Sequence, residues 1–363
     1  MTWGQWVGDQ LDAVRAAGQW RAVRTLEGGG PEFTLEDGRR VVSFASNDYL
    51  GLTQHPAVIA AATQALARYG AGSGSARLVV GARPPHAELE TALAAWRGAE
   101  AALVFPSGFV TNLSVLSVFG AGTRIVSDER NHASIIDGAR LARGEVAVYR
   151  HGDVEHAAHL VATAPGRALV VSDTVFSMDG DVAPVAALAR LCARTGAMLV
   201  LDDAHAVFDL PAVEPDVVCL RVGTLSKTLG SVGGFVTGRR DFIDLLINRA
   251  RPWIFTTASA PADMAAATAA IGVISGPEGA ALRRRLRSHV DAVRPGHPSP
   301  IIPVIMGDED RTVAAADALL ARGLLVPAIR PPTVAPGSSR LRVALSAAHT
   351  ETQIRELVAA LRS

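Results

Sequence analysis

The sequence predicts an α/β fold, with a large domain built on a mostly parallel sheet flanked by helices and a small α+β domain at the C-terminal end. Three observations carry this. From about residue 58 onward, short apolar runs rich in Val, Leu and Ile alternate with amphipathic helical stretches. Those runs show little in/out alternation, as expected of strands covered on both faces. A Pro/Gly-rich stretch, Pro295-Gly296-His297-Pro298-Ser299-Pro300, follows a charged helical region and marks a boundary. The expected division is an N-terminal helix and hairpin segment over 1–43, a large domain over 44–275 and a small C-terminal domain over 276–363.

In chain order, the first forty residues read as a helix, a turn at Gly28-Gly29-Gly30-Pro31 and a hairpin around Glu36-Asp37-Gly38, packing with the tail. Helical spacing follows over 57–69, 86–97, 107–119, 134–143 and 185–195, with strands expected at 101–105, 124–127, 168–172 and 197–201. The tail reads as strand 301–305, helix 311–322, strands 324–329 and 340–345, and helix 351–361.

A length of 363 residues accommodates one large domain and a smaller one. Nearly half the residues are apolar and the formal charge is zero, which indicates an ordinary globular protein and argues against a nucleic-acid binder. The basic run Arg283-Arg284-Arg285 with Arg287 reads as a solvated helix face. Cys192 and Cys219 each sit in an apolar run and are expected to be reduced and buried, as in a cytoplasmic protein. The first residues lack a signal pattern, and no apolar run approaches the ~20 residues needed to cross a bilayer. Neither a membrane nor a metal is therefore expected as a partner.

The chemistry concentrates in two stretches. The run 197–201 ends in Asp202-Asp203-Ala204-His205, and Thr224-Leu225-Ser226-Lys227-Thr228-Leu229-Gly230 follows. A carboxylate and an imidazole at a strand end, then a lysine among hydroxyls and glycines, is what pyridoxal phosphate needs. The amine condenses with the cofactor aldehyde, the carboxylate keeps the pyridine nitrogen protonated, and the imidazole reaches the ring hydroxyl. A lone lysine is usually a solvated charge. Lys227 instead lies between two buried-looking segments, in a chain whose basic residues are overwhelmingly arginine. Ser107-Gly108-Phe109 opens a helix after a strand, where backbone N–H groups suit a phosphate. The same residues also read simply as a capped helix, and both readings hold together. Gly70–Gly74 lacks the preceding strand and third glycine of a dinucleotide fingerprint, and Ser226 replaces the glycine a P-loop requires.

Read together, several motifs resemble the α-oxoamine synthases, a branch of the fold-type-I pyridoxal-phosphate enzymes. They are Phe44-Ala45-Ser46-Asn47-Asp48-Tyr49-Leu50-Gly51-Leu52, Gly70-Ala71-Gly72-Ser73-Gly74, Phe105-Pro106-Ser107-Gly108-Phe109, Asn131-His132-Ala133-Ser134 and Phe176-Ser177-Met178-Asp179-Gly180-Asp181, with the two stretches above. The resemblance covers nearly the whole chain. It implies a catalytic set of Lys227, His132, Asp202 and His205, with His132 stacked on the cofactor ring. It implies cofactor contacts from Ser107, Gly108, Phe109, Ser177, Thr224 and Thr257, and substrate contacts from Arg21, Asn47, Thr333 and Arg342. Arg342 would grip the amino-acid carboxylate, while Asp203 and Arg340 are taken as structural neighbours.

Ala328-Ile329-Arg330-Pro331-Pro332-Thr333-Val334, with Trp3, Leu11-Asp12-Ala13, Arg15-Ala16-Ala17 and Arg21, is similar to family members that join L-alanine to a pimeloyl thioester in biotin synthesis. The thioester is carried on coenzyme A or an acyl carrier protein. The resemblance also implies a homodimer with active sites at the subunit boundary, Phe255-Thr256-Thr257 reaching the neighbour's phosphate site. The alternative for Thr256 and Thr257 is that they cap the helix near Pro261. Other α-oxoamine synthases using glycine or serine, an aminotransferase and a non-catalytic homologue stay open. Four departures from the family pattern stand out. The segment after His205, Ala206-Val207-Phe208-Asp209-Leu210-Pro211, is shorter and not glycine-rich; Asp173 stands in place of Glu; Ser75-Ala76 replaces Gly-Ser; and Ala260 replaces a proline.

Overall fold

The structure, a computed structural model, describes residues 1–362. Its elements begin with α1 (Trp3–Ala16), β1 (Leu26–Gly29), β2 (Glu32–Leu35), β3 (Arg40–Ser43), α2 (Pro56–Tyr69), α3 (Pro84–Arg97), β4 (Ala101–Phe105) and α4 (Gly108–Phe119). They continue with β5 (Arg124–Asp128), α5 (Ala133–Leu141), β6 (Glu145–Tyr149), α6 (Val154–Ala162), β7 (Ala168–Asp173), α7 (Val185–Thr195), β8 (Met198–Asp202), β9 (Cys219–Thr224) and β10 (Gly234–Gly238). The remainder is α8 (Arg240–Arg249), α9 (Arg251–Ile254), α10 (Pro261–Ser275), α11 (Pro277–Val293), β11 (Ile301–Gly307), α12 (Glu309–Ala321), β12 (Leu324–Leu325), β13 (Ala328–Ile329), β14 (Ser339–Ala344) and α13 (Glu351–Leu361).

The chain forms two compact units. The smaller contains Met1–Ala45 and Pro303–Val343, and the larger contains Ser46–Ile302 and the chain from Ala344 onward. In the smaller unit the hairpin strands and β12 make a sheet in the order β1-β2-β3-β12. β12 runs parallel to β3, with Leu324 opposite Val42, so the head and tail of the chain share one sheet. The apolar run 324–329 splits in two at Val326-Pro327, because Pro327 has no N–H to continue a ladder. Its second half, β13, pairs antiparallel with β14 in another sheet.

The larger unit is built on a seven-stranded sheet in the order β4-β10-β9-β8-β7-β5-β6. Only β10 is antiparallel to its neighbours. Successive residues of each central strand feed opposite cores. On one face Leu169, Val171 and Val200 pack with Leu116, Ile135 and Leu246. On the other, Val170, Leu199 and Leu201 pack with Leu188, Leu191 and Val161. Burial on both faces explains why these strands are uniformly apolar. The apolar-run criterion passes over β6 because it is an edge strand with Val146 and Val148 exposed. No single helix among the described residues is long and apolar enough to cross a membrane.

Residues 276–302 belong with the larger unit, a division that differs from a break at 276. α11 leaves α10 at a 77° bend, and a Cβ on Gly279 would lie 2.4 Å from the Ile274 backbone, so glycine allows the close approach there.

Gly180 anchors the turn after β7. Its φ is +69°, and a Cβ would lie 2.0 Å from the Ile301 carbonyl oxygen. Gly152 has the same φ of +69° but open space around it. Gly152→Ala is expected to cost ~1 kcal/mol from backbone strain alone. Gly180→Ala is expected to cost roughly 2 kcal/mol more, since the backbone of 299–301 must move. Urea-unfolding midpoints of the two variants check this, and equal losses would contradict the steric argument.

Candidate active site

β4, β5, β7, β8 and β9 all run the same way, so Phe105, Asp128, Asp173, Asp202 and Thr224 end at one edge of the sheet. The carboxyl ends of parallel strands are where α/β proteins place their ligands.

Lys227, in the loop after β9, is the only lysine in the chain. Its Nζ lies 2.8 Å from His205 Nε2. His205 Nδ1 lies 2.6 Å from the hydroxyl of Tyr49, which donates to Asn47 Oδ1 at 3.1 Å. One proton arrangement satisfies this line. Lys227 donates to Nε2, His205 carries its proton on Nδ1 and donates to Tyr49, and Tyr49 donates to Asn47. Sequence reasoning quotes Tyr49 within a motif but gives it no role. A tyrosine 156 positions from its imidazole partner leaves no spacing signal.

Asp202 and Asp173 face each other across the β7–β8 register. Asp202 accepts from Asn112 Nδ2 at 2.6 Å and from the Ala204 N–H at 2.9 Å. Asn112 also donates to Ser134 Oγ at 2.9 Å, and that hydroxyl lies 2.7 Å from His132 Nδ1. Asp173 accepts the His132 backbone N–H at 2.7 Å. Complete burial, reinforced by the Asp202 charge, raises the Asp173 pKa well above the usual carboxylate range. His132 shifts the other way. Desolvation and the Lys227 charge push its pKa down, against the pull of Asp202, which favours the neutral ring. Asn112 and Ser134 thus tie two expected site residues together. They are missed from sequence because a helix-borne Asn and Ser read as ordinary packing.

Ser107 caps α4, its Oγ accepting from the Val110 N–H at 3.2 Å. Two glycines let the helix start approach the sheet. A Cβ on Gly234 would sit 2.5 Å from Gly108 N, and one on Gly108 would sit 3.3 Å from Thr224 Cβ. The first N–H groups of α4 are thereby set beside Thr224. The Thr224 hydroxyl donates to the Gly233 carbonyl at 2.9 Å and accepts from the Ser226 N–H at 3.1 Å, so its proton is engaged within the loop. Phe109 packs edge-on to His132, ring centroids 6.4 Å apart. Ser177 sits in the turn closed by the Val175–Val182 bridge.

These groups suit the pyridoxal phosphate expected from the sequence. Among the described residues, Asp202 is a buried carboxylate hydrogen-bonded to neutral donors and in no salt bridge, fit for a pyridinium. Lys227 supplies the amine, His132 an imidazole, and the start of α4 an anion cradle.

Other expected residues stand elsewhere. Thr257 is exposed, and neither it nor Thr256 caps α10, whose N-cap is Ala260. The capping alternative therefore falls. Thr256 and Thr257 line a small cavity with Arg77 and Pro106. Arg21 and Thr333 are exposed and Arg342 is buried, all three in the smaller unit, whereas Asn47 is in the larger. Asp203 is held by Arg221 at 3.1 Å and by Thr174 at 2.6 Å, the structural role expected of it. Cys192 and Cys219 are unpaired, and burial pushes both thiols up to about 12, so neither is a nucleophile at neutral pH.

His151 fastens the edge of the site. Nδ1 lies 3.0 Å from Asp128 and Nε2 lies 2.7 Å from Asp181, which follows the Ser177 turn. Burial opposes its charge, but the two carboxylates outweigh burial and raise its pKa. A histidine raised on folding stabilises fully below its unfolded pKa of ~6.5 and loses that contribution as pH rises through the folded value. His151→Gln should therefore lower the urea midpoint most near pH 5.5 and least near pH 9. A deficit that grows with pH would refute the assignment.

The family model for class I and II aminotransferases matches residues 39–361. An 8-amino-7-oxononanoate synthase of Anaeromyxobacter dehalogenans is 47% identical over 378 aligned residues, covering 98% of this chain and 94% of that one. Another, from Alkalilimnicola ehrlichii, is 45% identical and covers 98% of this chain and 96% of its own length. Among solved structures, a serine palmitoyltransferase from S. paucimobilis with PLP bound is 29% identical, with a TM-score of 0.91 over 98% of this chain and 96% of that chain. Match and relatives run through the strand edge that carries Asp202 and Lys227, and the chain belongs to the 8-amino-7-oxononanoate synthases, within the class I and II aminotransferase family.

Proposed function

We propose that this chain joins L-alanine to a pimeloyl thioester, with loss of carbon dioxide and release of the thiol carrier, to give 8-amino-7-oxononanoate for biotin synthesis. Pyridoxal phosphate is its cofactor. The observation that carries the reading is Lys227 Nζ held against His205 Nε2 beside the buried Asp202. The names of the near-full-length relatives support the choice of reaction.

The cofactor supplies an electron sink for the pair left when a bond at the alanine Cα breaks. Lys227 anchors it and then acts as base, taking the Cα proton at Nζ. His205 fixes the position of that nitrogen and reaches the ring hydroxyl. Asp202 holds a proton at the pyridine nitrogen, and Asn112 keeps the carboxylate aimed. His132 lies on the ring face. Ser107, Gly108, Phe109 and Thr224 would hold the phosphate, Thr224 by turning its hydroxyl proton from the Gly233 carbonyl, with Ser177 beside the ring. Arg342 grips the alanine carboxylate through its two-pronged guanidinium, and Arg21, Asn47 and Thr333 receive the acyl donor.

The working unit in this reading is a homodimer in which Thr257 serves the partner's phosphate site. Its support is the run of exposed apolar side chains next to the segments lining the Thr257 cavity: Leu78, Val79 and Val80 after Arg77, and Phe255 before Thr256.

Because Lys227 is the only lysine, borohydride reduction of the cofactor-loaded protein should fix one cofactor mass per chain on the peptide containing it. Lys227→Ala should lose that label and at least ~10²-fold in turnover. A label on the Met1 amine, or turnover in the variant, would overturn the assignment.

Substrate choice is tested by a panel of thioesters with L-alanine, glycine or L-serine, read by the mass of the ketone product. The highest kcat/KM should fall on L-alanine with the pimeloyl donor. Preference for glycine or serine would move the chain to another α-oxoamine synthase activity. Pyruvate released in a single turnover with alanine would mark an aminotransferase.

A further inference from the structure

We propose that Arg97 is the centre of a second binding site, for a carboxylate carried on a short apolar chain. Arg97 is the last residue of α3, and its guanidinium stacks 3.8 Å over the Trp96 ring and 5.8 Å from that of Phe235. Its Nε is wholly buried and has no hydrogen-bond partner. Among the described residues no carboxylate pairs with it. The nearby Asp203 is already engaged by Arg221 and Thr174. Burial pushes the Arg97 pKa down to about 10, which leaves the group charged at neutral pH. Arg97 is half-buried, with Nε shut away from water and the rest of the guanidinium open to the solvent side, so an anion can reach it and supply the missing partner.

The place for the anion is a cavity of about 480 Å³ that Arg97 lines. Trp96, Val207, Phe208, Leu210 and Ile274 give it an apolar wall, much of it from the short segment after His205. Arg283 adds a second cation, donating to the Ile274 carbonyl at 2.9 Å and lacking a carboxylate partner among the described residues. The one acid in the lining, Asp209, is exposed and screened by solvent. None of Lys227, His205, Asp202 or His132 lines this cavity. On its other side Arg97 meets a cavity that Glu100 and Glu214 line together with Arg221 and Arg239, so acids and cations are matched there, whereas the first cavity has two arginines and one acid. The size lies within the ~300–1,000 Å³ of small-molecule sites. One planar guanidinium against an apolar wall suits a carboxylate taken bidentately, with an alkyl or aryl body behind it.

The test is isothermal titration of octanoate into the full-length, cofactor-loaded protein. One saturable site per chain is expected, with no change in cofactor absorbance. Octan-1-ol, which lacks the charge, and inorganic phosphate, which lacks the apolar body, should each bind at least ~10-fold more weakly. Arg97→Met should weaken octanoate at least ~10-fold while the protein still folds and binds cofactor. If that variant does not fold, Arg97→Lys carries the test, with an expected loss of ~3-fold or more because the ammonium lacks the planar fork. The proposal is overturned by absence of binding in the wild type, by unchanged affinity in both variants, or by equal binding of octan-1-ol or phosphate. Displacement of octanoate by the acyl thioester, which would place it in the candidate active site, overturns it as well.

Discussion

The candidate site depends on the register between β7 and β8, which sets Asp173 opposite Asp202. Two buried carboxylates side by side cannot both ionise cheaply. Their partners separate them. Asp202 receives N–H donors from Asn112 and Ala204. Asp173 is completely buried and feels the charge of Asp202, and both raise its pKa. The two carboxylates thus differ in surroundings, and Asp202 is the one that neutral side-chain and backbone donors hold in place. Asp173 also accepts the backbone N–H of His132, so the same register sets the start of α5. Asn112 and Ser134 close the loop from Asp202 back to the His132 ring. A one-residue slip of either strand would turn its carboxylate to the opposite face and part the pair.

A second constraint acts at the start of α4. β10 is the lone antiparallel strand, inserted between β4 and β9. Its first residue must let the α4 N-terminus lie almost on the sheet, and only glycine does so at Gly234. Gly223 obeys the same rule on the neighbouring strand, where a Cβ would lie 2.3 Å from the Phe235 ring. The anion cradle is thus a consequence of backbone proximity more than of any charged side chain.

The chemistry of this chain is also shaped by what it does not use elsewhere. Every other side-chain cation besides histidine is an arginine, which stays protonated at working pH and suits planar carboxylate pairing. Lys227 alone offers an amine that can give up its proton and react. Arginine serves structure at places such as Arg221 on Asp203, and at Arg97 it leaves an Nε without a partner.

Much of this was legible in the residues. Two-sided burial left uniformly apolar strands at β4, β5, β7 and β8, and glycine and proline marked the breaks between elements, so the α/β class and the order of the sheet-forming runs could be read directly. The chemical residue types at strand ends, Asp202, His205 and Lys227, announced an electrophilic cofactor. The edge strand β6 and the return of 276–302 to the larger unit were not legible, because each is decided by a neighbour distant in sequence, or by the lack of one. The same holds for Tyr49 on His205, Asn112 on Asp202 and the solitary guanidinium of Arg97. Local sequence sets propensity and chemistry, both carried by a residue and its near neighbours. Which donor meets which acceptor, and which charge is left unmatched, is settled only when packing removes water and brings remote residues to hydrogen-bond distance.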